Sequence, residues 1–139
     1  MHAALARFWA NAAAEGARPS EEWRARFETA VIEIAGNVLR HAYPPGHKPG
    51  GVKLRLRLYG DRAEALLTDH GIPFEEPPAR SDPSERDPLD LAEGGYGLAI
   101  ARAALDRLDY SRRARGANRW RLVKRRDKPA RPQGSGPSA

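Results

Sequence analysis

Two segments near the N-terminus carry apolar residues at every third or fourth position, the spacing of one helical face. The first predicts a helix from about Ala3 to Glu15 that stops at Gly16. The second begins after Ser20, whose hydroxyl can cap a helix with acidic residues in its first turn, and ends at Pro44. The buried stripe predicted for this second helix is Trp23, Phe27, Ala30, Val31, Ile34 and Val38.

Strict alternation of apolar and polar residues follows from Val52 to Tyr59 and predicts a strand with one wet face. The dipeptide Gly60-Asp61 predicts a hairpin turn, so that a second strand over 62–69 pairs antiparallel with the first. Farther on, two strand-like segments, 109–115 and 118–125, flank a turn at Gly116-Ala117.

Between these strand pairs lie a polar, proline-rich segment and a third helix. The segment from Glu75 to Glu93 has the composition and length of a mobile lid. A glycine cluster at 94–97 then begins the helix, whose predicted apolar side is Leu98, Ala101, Leu105 and Leu108. The order predicts an α+β fold: a two-layer sandwich with helices on one face of a mixed, mostly antiparallel sheet. We expect one domain over 3–126 and a disordered tail over 127–139.

Composition limits the classes of protein. A chain of 139 residues without cysteine fits one domain with no disulfides or thiolate metal sites. No apolar run has the length of a membrane span, and the N-terminus lacks the apolar core of a signal peptide. We therefore expect a cytoplasmic protein that does not enter a membrane.

The formal charge of +6 is unevenly distributed. Residues 1–110 hold 14 Lys or Arg against 17 Asp or Glu, whereas residues 111–139 hold 10 against 1. This basic end is either a solvated strand pair and tail or a docking surface for an acidic partner. Direct nucleic-acid binding is disfavoured because only Tyr110 and Trp120 could stack on bases there.

Glu33 and Asn37 lie one helical turn apart at the border of the apolar stripe of the second helix. A carboxylate can accept a proton from a nucleophilic hydroxyl, and an amide oxygen can bind Mg²⁺, which prefers hard oxygen ligands. The pair therefore suits metal-assisted phosphoryl transfer, although a solvated surface pair is the alternative.

The end of the second strand carries Asp69-x-Gly71-x-Pro73-Phe74. An aspartate there can accept a hydrogen bond from an exocyclic amine such as that of adenine, and Gly71 lets a ring approach the backbone. The alternative is a tight turn in which the aspartate caps and Gly71 supplies a positive φ.

Glycines at 94, 95 and 97 precede the third helix, where free N–H groups and the helix dipole could hold phosphates. A simple glycine-rich helix start is the alternative. A P-loop is excluded because G-x-x-x-x-G-K-[ST] is absent, and the glycines do not follow a strand as in a Rossmann fingerprint.

In this order the three motifs resemble the N, G1 and G2 boxes of the GHKL superfamily, the Bergerat ATP-binding fold. The closest resemblance is to the anti-sigma-factor serine/threonine-protein kinases. It rests on AVIEIAGNVLRHAY, TDHGIPF and EGGYGLAIARAALDRLDY, and on NRWRLVKR as the closing strand. Two departures stand out: the first helix is not preceded by the usual strand, and the closing strand carries Asn118-Arg119-Trp120 where many members have a threonine near adenine.

The resemblance implies a role for each matching residue. Glu33 would be the general base toward a substrate serine, and Asn37 would hold the Mg²⁺ that bridges the phosphates of ATP. Arg40 would contact phosphate, and Asp69 would bind the adenine amine with Gly71 beneath the ring. The residues that would approach the phosphates are Gly95, Tyr96, Gly97 and Leu98.

The function implied is an anti-sigma factor that sequesters a sigma factor and phosphorylates a STAS-type anti-anti-sigma protein, commonly as a homodimer. Two other functions remain open. One is a non-catalytic switch whose nucleotide state tunes its affinity for a partner protein. The other is DNA or RNA binding through residues 111–131, which would weaken steeply with salt.

Overall fold

The computed structural model describes residues 1–75 and 96–126. In chain order the elements are helix α1 (His2–Ala14), helix α2 (Glu21–His41), strands β1 (Lys53–Leu58) and β2 (Arg62–Asp69), helix α3 (Gly97–Ala104), strand β3 (Arg107–Arg112), a 3-10 turn (Ala114–Gly116) and strand β4 (Asn118–Arg125). The sequence motif at 94 and 95, the predicted lid apart from Glu75, and the predicted tail lie outside the described residues.

The four strands form one sheet in the order β1-β2-β4-β3. Every neighbouring pair is antiparallel, so within the described part of the chain the sheet is antiparallel throughout rather than mixed. Helices pack on one face of this sheet, which confirms the predicted α+β two-layer sandwich. No helix of the described residues is long and apolar enough to cross a membrane.

Helix α2 forms the centre of the helical layer. Its N-terminus is capped as predicted, because the Ser20 hydroxyl accepts a hydrogen bond of 3.2 Å from the Trp23 backbone N–H. All six residues of the predicted apolar stripe are buried, and full burial of a valine, isoleucine or phenylalanine side chain contributes about 1.5–3 kcal/mol. Opposite them, the sheet supplies the buried residues Ala63, Ala65, Leu67, Trp120 and Leu122.

Helix α1 packs on α2 through an aromatic cluster. The Trp9 ring meets those of Trp23 and Phe27 edge-on, with centroids 6.1 and 6.0 Å apart. The Trp9 indole N–H donates to a Glu28 carboxylate oxygen at 2.5 Å, and the Trp23 indole N–H donates to the Arg125 carbonyl at 2.6 Å. Helix α2 is thereby joined to α1 on one side and to the end of β4 on the other.

Two predictions about the third helix and the strand after it were wrong. Helix α3 ends at Ala104, so Leu105 follows the helix and Leu108 lies on β3 instead of on the helix. Pairing with β4 begins immediately: the Asp106 N–H bonds the Val123 carbonyl at 2.9 Å, and the Asp106 carboxylate accepts from the Arg125 N–H at 2.6 Å. Strand β3 therefore begins at Arg107 rather than at the predicted position 109.

The turn between β3 and β4 also differs from the predicted Gly116-Ala117 turn. It is closed by a 2.7 Å hydrogen bond from the Arg113 N–H to the Ala117 carbonyl. Arg115 and Gly116 both have positive φ, 64° and 74°, so the chain reverses one to two residues earlier than predicted. Strands β2 and β4 have the predicted bounds.

Candidate active site

Glu33 lies against the first residue of α3. A Cβ built on Gly97 would be 2.7 Å from Glu33 Oε2, closer than real carbon atoms approach an oxygen. Glycine is therefore the residue that lets α3 approach the carboxylate on α2. Two of the three sequence motifs, far apart along the chain, meet at this point.

The N-terminus of α3, described from Tyr96 onward, is the second feature of the site. Its N-cap residue, Tyr96, makes no side-chain capping bond, and the first turn contains no acidic residue. The first N–H groups of a helix have no partner inside the helix, and together with the helix dipole they favour anions. Tyr96 is exposed, whereas Leu98 is partly buried and packs on the hydrophobic core. Gly95 lies outside the described residues.

Asn37 is buried, with 7% of its surface exposed. Within residues 1–75 and 96–126 its side-chain amide makes no hydrogen bond. Its amide atoms are not among the fully enclosed unpaired atoms of the described residues, so they are accessible to water or to a ligand. Its oxygen suits Mg²⁺, which is commonly held by one or two side-chain oxygens together with substrate phosphates.

Arg40 is exposed near the end of α2 and its side chain folds back along the helix. A Cβ built on Gly36 would be 3.4 Å from the Arg40 Nη1 atom. The guanidinium thus lies beside Gly36, the residue before Asn37. Arg40 and Asn37 therefore lie within one turn of the same helix, α2.

Asp69 ends β2 and is 1% exposed. Its Oδ1 atom accepts two hydrogen bonds, from the Gly71 N–H at 2.9 Å and from Asn118 Nδ2 at 2.7 Å. Among the described residues no group hydrogen-bonds Oδ2. The carboxylate is therefore fixed through one oxygen, and the other can accept a hydrogen bond from a ligand amine.

Glycine is required at position 71 because there is no room for a Cβ atom, not because the backbone has a positive φ. A Cβ at this position would be 2.2 Å from the Ala42 carbonyl oxygen, which cannot move aside as a side chain could. The next residue completes the contact, because the Ile72 N–H bonds the Ala42 carbonyl at 2.9 Å. Gly71 does not have positive φ, so that part of the alternative tight-turn interpretation was wrong, while Asp69 does cap the turn.

Tyr43 fastens the same loop to the end of α2. Its hydroxyl accepts from the His70 N–H at 3.0 Å and donates to the Gly51 carbonyl at 2.9 Å. Tyr43 is the last residue of the motif AVIEIAGNVLRHAY, but no role for it was predicted from the sequence. Together with Ala42 it joins α2 to the Asp69 loop, so α2 contacts both of the other motifs.

Asn118 is the main residue that sequence reasoning missed. It is 1% exposed, and its Nδ2 donates to Asp69 Oδ1 and to the Gly71 carbonyl, the latter at 3.0 Å. Its Oδ1 accepts from the Tyr110 hydroxyl at 2.6 Å and from Arg112 Nη1 at 2.8 Å. Tyr110 in turn accepts from the Phe74 N–H at 3.0 Å. This network is centred on the first residue of the Asn118-Arg119-Trp120 segment and fixes the whole Asp69 loop.

The position of Asn118 follows from the bounds of two strands once their pairing is known. Strands β2 and β4 pair over their full lengths, which places Asp69 directly opposite Asn118. The two strand boundaries were predictable, but the pairing of these two strands was not.

The chain matches the histidine kinase-like ATPase domain family over residues 1–124. It belongs to this family. A similar protein is the serine/threonine-protein kinase BtrW of Bordetella bronchiseptica, 31% identical over 97 residues that cover 67% of this chain and 68% of BtrW. Others are the serine-protein kinases RsbW of Halalkalibacterium halodurans, 37% identical over 84 residues, and of Bacillus subtilis, 32% identical over 81 residues.

The matched region covers 58% of this chain in the Halalkalibacterium comparison and 55% in the Bacillus comparison, and 50% of each RsbW protein. The family assignment confirms the resemblance to histidine kinase-like ATPases. In this ATPase-type domain, the residues around Glu33, Asn37 and Asp69 are the candidates for contacting ATP.

Proposed function

We propose that this histidine kinase-like ATPase domain is an ATP-dependent protein-serine kinase that acts as an anti-sigma factor. Its substrate would be a STAS-type anti-anti-sigma protein, and its sequestered partner a sigma factor. The observation that supports the proposal is the contact of Glu33 with Gly97, which sets a carboxylate beside the N-terminus of α3, and helix N-termini suit phosphate. The similarity to kinases named BtrW and RsbW supports the same class of reaction.

ATP would be held at its adenine by the Asp69 loop and at its phosphates by the N-terminus of α3. Asp69 Oδ2 would accept a hydrogen bond from the adenine amine, while Gly71, held on Ala42, keeps the loop in place. The phosphates would lie toward the N–H groups of α3 and the Arg40 guanidinium. Asn37 would hold Mg²⁺, and the metal would neutralise phosphate charge when bound.

Transfer would proceed at Glu33. Its carboxylate would accept the proton of the substrate serine hydroxyl as that oxygen forms a bond to the γ-phosphorus. The bond from the γ-phosphorus to the β,γ-bridging oxygen breaks, and ADP leaves. Because phosphoryl transfer depends mainly on positioning and charge neutralisation, the α3 N-terminus matters alongside the base.

The test combines binding and transfer. Calorimetric titration with Mg-ATP should show saturable binding that Asn37→Ala and Asp69→Ala each weaken by about tenfold or more. Glu33→Gln should bind Mg-ATP within about threefold of the native protein and yet lose phosphate transfer to the STAS-type proteins of the source organism. An exposed change, Glu22→Gln, is the matched control for the loss of a carboxylate on α2.

The outcomes of these experiments distinguish the proposed kinase from its alternatives. Transfer that persists in Glu33→Gln would refute the assigned base. Binding without transfer in the native protein, with every STAS-type protein tried, would favour the non-catalytic switch. No binding of Mg-ATP would refute the proposal altogether.

A further inference from the structure

The face of the sheet that points away from the helices is strongly basic. Alternation along each strand places every second residue there, and we call this surface the open face. Its basic residues are Lys53, Arg55, Arg57, Arg62, Arg107, Arg119, Arg121 and Arg125, and its acidic residues are Glu64 and Asp109. Eight positive side chains against two negative ones give this surface a strongly positive formal charge.

Strand order creates this surface from two distant parts of the sequence. The register places Lys53 opposite Thr68 of β2, and Thr68 opposite Arg119 of β4. Two residues farther along β1, Arg55 is paired with Leu66 of β2, and Leu66 is paired with Arg121 of β4. The basic residues of β1 and those of the C-terminal strands therefore form one field, which the charge count along the chain had assigned to the C-terminal end alone.

Ion pairs within the open face use only part of its positive charge. Glu64 lies between Arg62, at 3.0 Å, and Arg121, which it also contacts. Burial alone would raise the pKa of Glu64, but the hydrogen bonds from Arg62 and Arg121 outweigh it and hold this pKa below its usual value. Arg107 pairs with Asp109 at 2.7 Å.

Five basic residues of the open face have no acidic partner among residues 1–75 and 96–126: Lys53, Arg55, Arg57, Arg119 and Arg125. The three on β1 are exposed. The Nε atom of Arg119 is buried and makes no hydrogen bond in this part of the chain. Unpaired guanidinium groups in one plane are suited to carboxylates, which they bind through two parallel hydrogen bonds.

Two apolar residues lie among the charged residues in the middle of the open face, Leu66 partly buried and Val123 7% exposed. Leu66 and Val123 are both on it, on the two central strands. A partner that presents carboxylates around an apolar side chain would match both the charge and the centre of this surface.

We propose that the open face is a docking surface for an acidic, amphipathic segment of another protein. A second copy of this chain is a poor match, because a two-fold arrangement would set one arginine-rich face against another. Nucleic acid is also a poor match. The ring of Tyr59 near this face is covered by the Arg62 guanidinium at 4.1 Å, so it is not free to stack on bases.

This surface is formed by the side of the sheet opposite the helices, whereas Glu33 and Asn37 belong to the helical layer. Docking there needs no bound nucleotide. The inference therefore goes beyond the proposed kinase function and can be tested without ATP.

The probe is a short acidic peptide of glutamates with leucine at every fourth position, labelled for fluorescence anisotropy and titrated at about 0.15 M salt. The test variant reverses two exposed charges of β1, Arg55→Glu with Arg57→Glu. The matched control reverses two exposed charges elsewhere, Arg7→Glu with Lys48→Glu. Circular dichroism and melting curves establish that all three proteins are folded.

We expect saturable peptide binding that falls at least about tenfold in the β1 variant and stays within about twofold in the control. Replacing the leucines of the peptide by serine should weaken its binding to the native protein, because Leu66 loses an apolar contact. Absent binding, or equal losses in the two variants, would overturn the proposal. Tighter binding of a random DNA duplex through the same β1 residues would overturn it in favour of nucleic acid.

Discussion

Glu33 of α2 and Gly97 of α3 are so close that a single methyl group on Gly97 would displace the carboxylate, since its carbon would be 2.7 Å from Glu33 Oε2. The atom in the way is the flexible end of a side chain, so it can rotate at little cost to folding. The contact therefore positions a chemical group more than it stabilises the fold.

Gly97→Ala should consequently impair catalysis and spare stability. We expect phosphate transfer to fall about 10- to 100-fold, because small misplacements of a reacting group cost that much. The free energy of unfolding should change by less than about 1 kcal/mol, since alanine is also the better helix former. Transfer rates and urea denaturation of the same preparation measure both. Native transfer rates in Gly97→Ala would contradict the role given to this contact.

Gly71→Ala should damage the fold instead. The obstacle is the carbonyl of Ala42, at 2.2 Å from the new carbon, and a backbone atom cannot rotate away. We expect a loss of about 2–4 kcal/mol in the free energy of unfolding, measured by urea denaturation.

Two controls separate this effect from a general intolerance of alanine. Gly60→Ala, in open space with ordinary backbone angles, should change the free energy of unfolding by less than about 0.5 kcal/mol. Ala42→Gly should fail to rescue Gly71→Ala, because the blocking oxygen remains. Full rescue would show that a side chain, not the backbone, is the obstacle.

Asn118→Asp should make folding stability depend on pH. The new carboxylate would lie beside that of Asp69, which the asparagine now contacts at 2.7 Å. Arg112 and the Tyr110 hydroxyl, which contact the other side-chain oxygen, would stabilise one charge of the pair but not two. Repulsion and burial would therefore raise the pKa of the pair above the value in the unfolded chain, so the folded state binds an extra proton. The variant should therefore lose about 2–4 kcal/mol at pH 7 and recover part of it as the pH falls toward 5.

The measurement is the free energy of unfolding of native and variant protein across that pH range. Asn11→Asp, an exposed asparagine on α1, is the matched control and should show no such recovery. A deficit in Asn118→Asp that stays constant from pH 7 to 5 would contradict the proposed pairing.

Much of the fold could be predicted because local signals agree with the tertiary structure. Helix α2 has a cap at Ser20 and one continuous apolar stripe, and β2 has turn residues immediately before it. Helix α3 could not be delimited in this way. Leu105 and Leu108 continue its three- and four-residue spacing, but strand pairing with β4 begins at Asp106 and overrides that pattern.

The site was only partly predictable for a related reason. Motif spacing identified Glu33, Asn37 and Asp69 as candidates, but proximity depends on how elements pack. Neither the contact of Gly71 with Ala42 nor the position of Asn118 opposite Asp69 follows from local sequence. A glycine that looks like a turn residue can thus be required by a helix end that is distant in sequence.

Glu64 should make the sheet sensitive to acid. Its pKa is held below the usual value by Arg62 and Arg121, so its ion pairs stabilise the fold above the pKa of the unfolded chain and are lost as the pH falls through the folded-state value. Glu64→Gln should therefore lower the free energy of unfolding by about 1 kcal/mol at pH 7, a difference that shrinks between about pH 5 and 3.

The matched control is Glu22→Gln, whose partner Arg26 is exposed. It should lower the free energy of unfolding by less than about 0.5 kcal/mol at any of these pH values. Denaturation curves at each pH measure both variants. If the Glu64→Gln deficit remained unchanged at pH 3, ionisation of Glu64 could not be its source, and loss of packing around Arg121 would explain it instead.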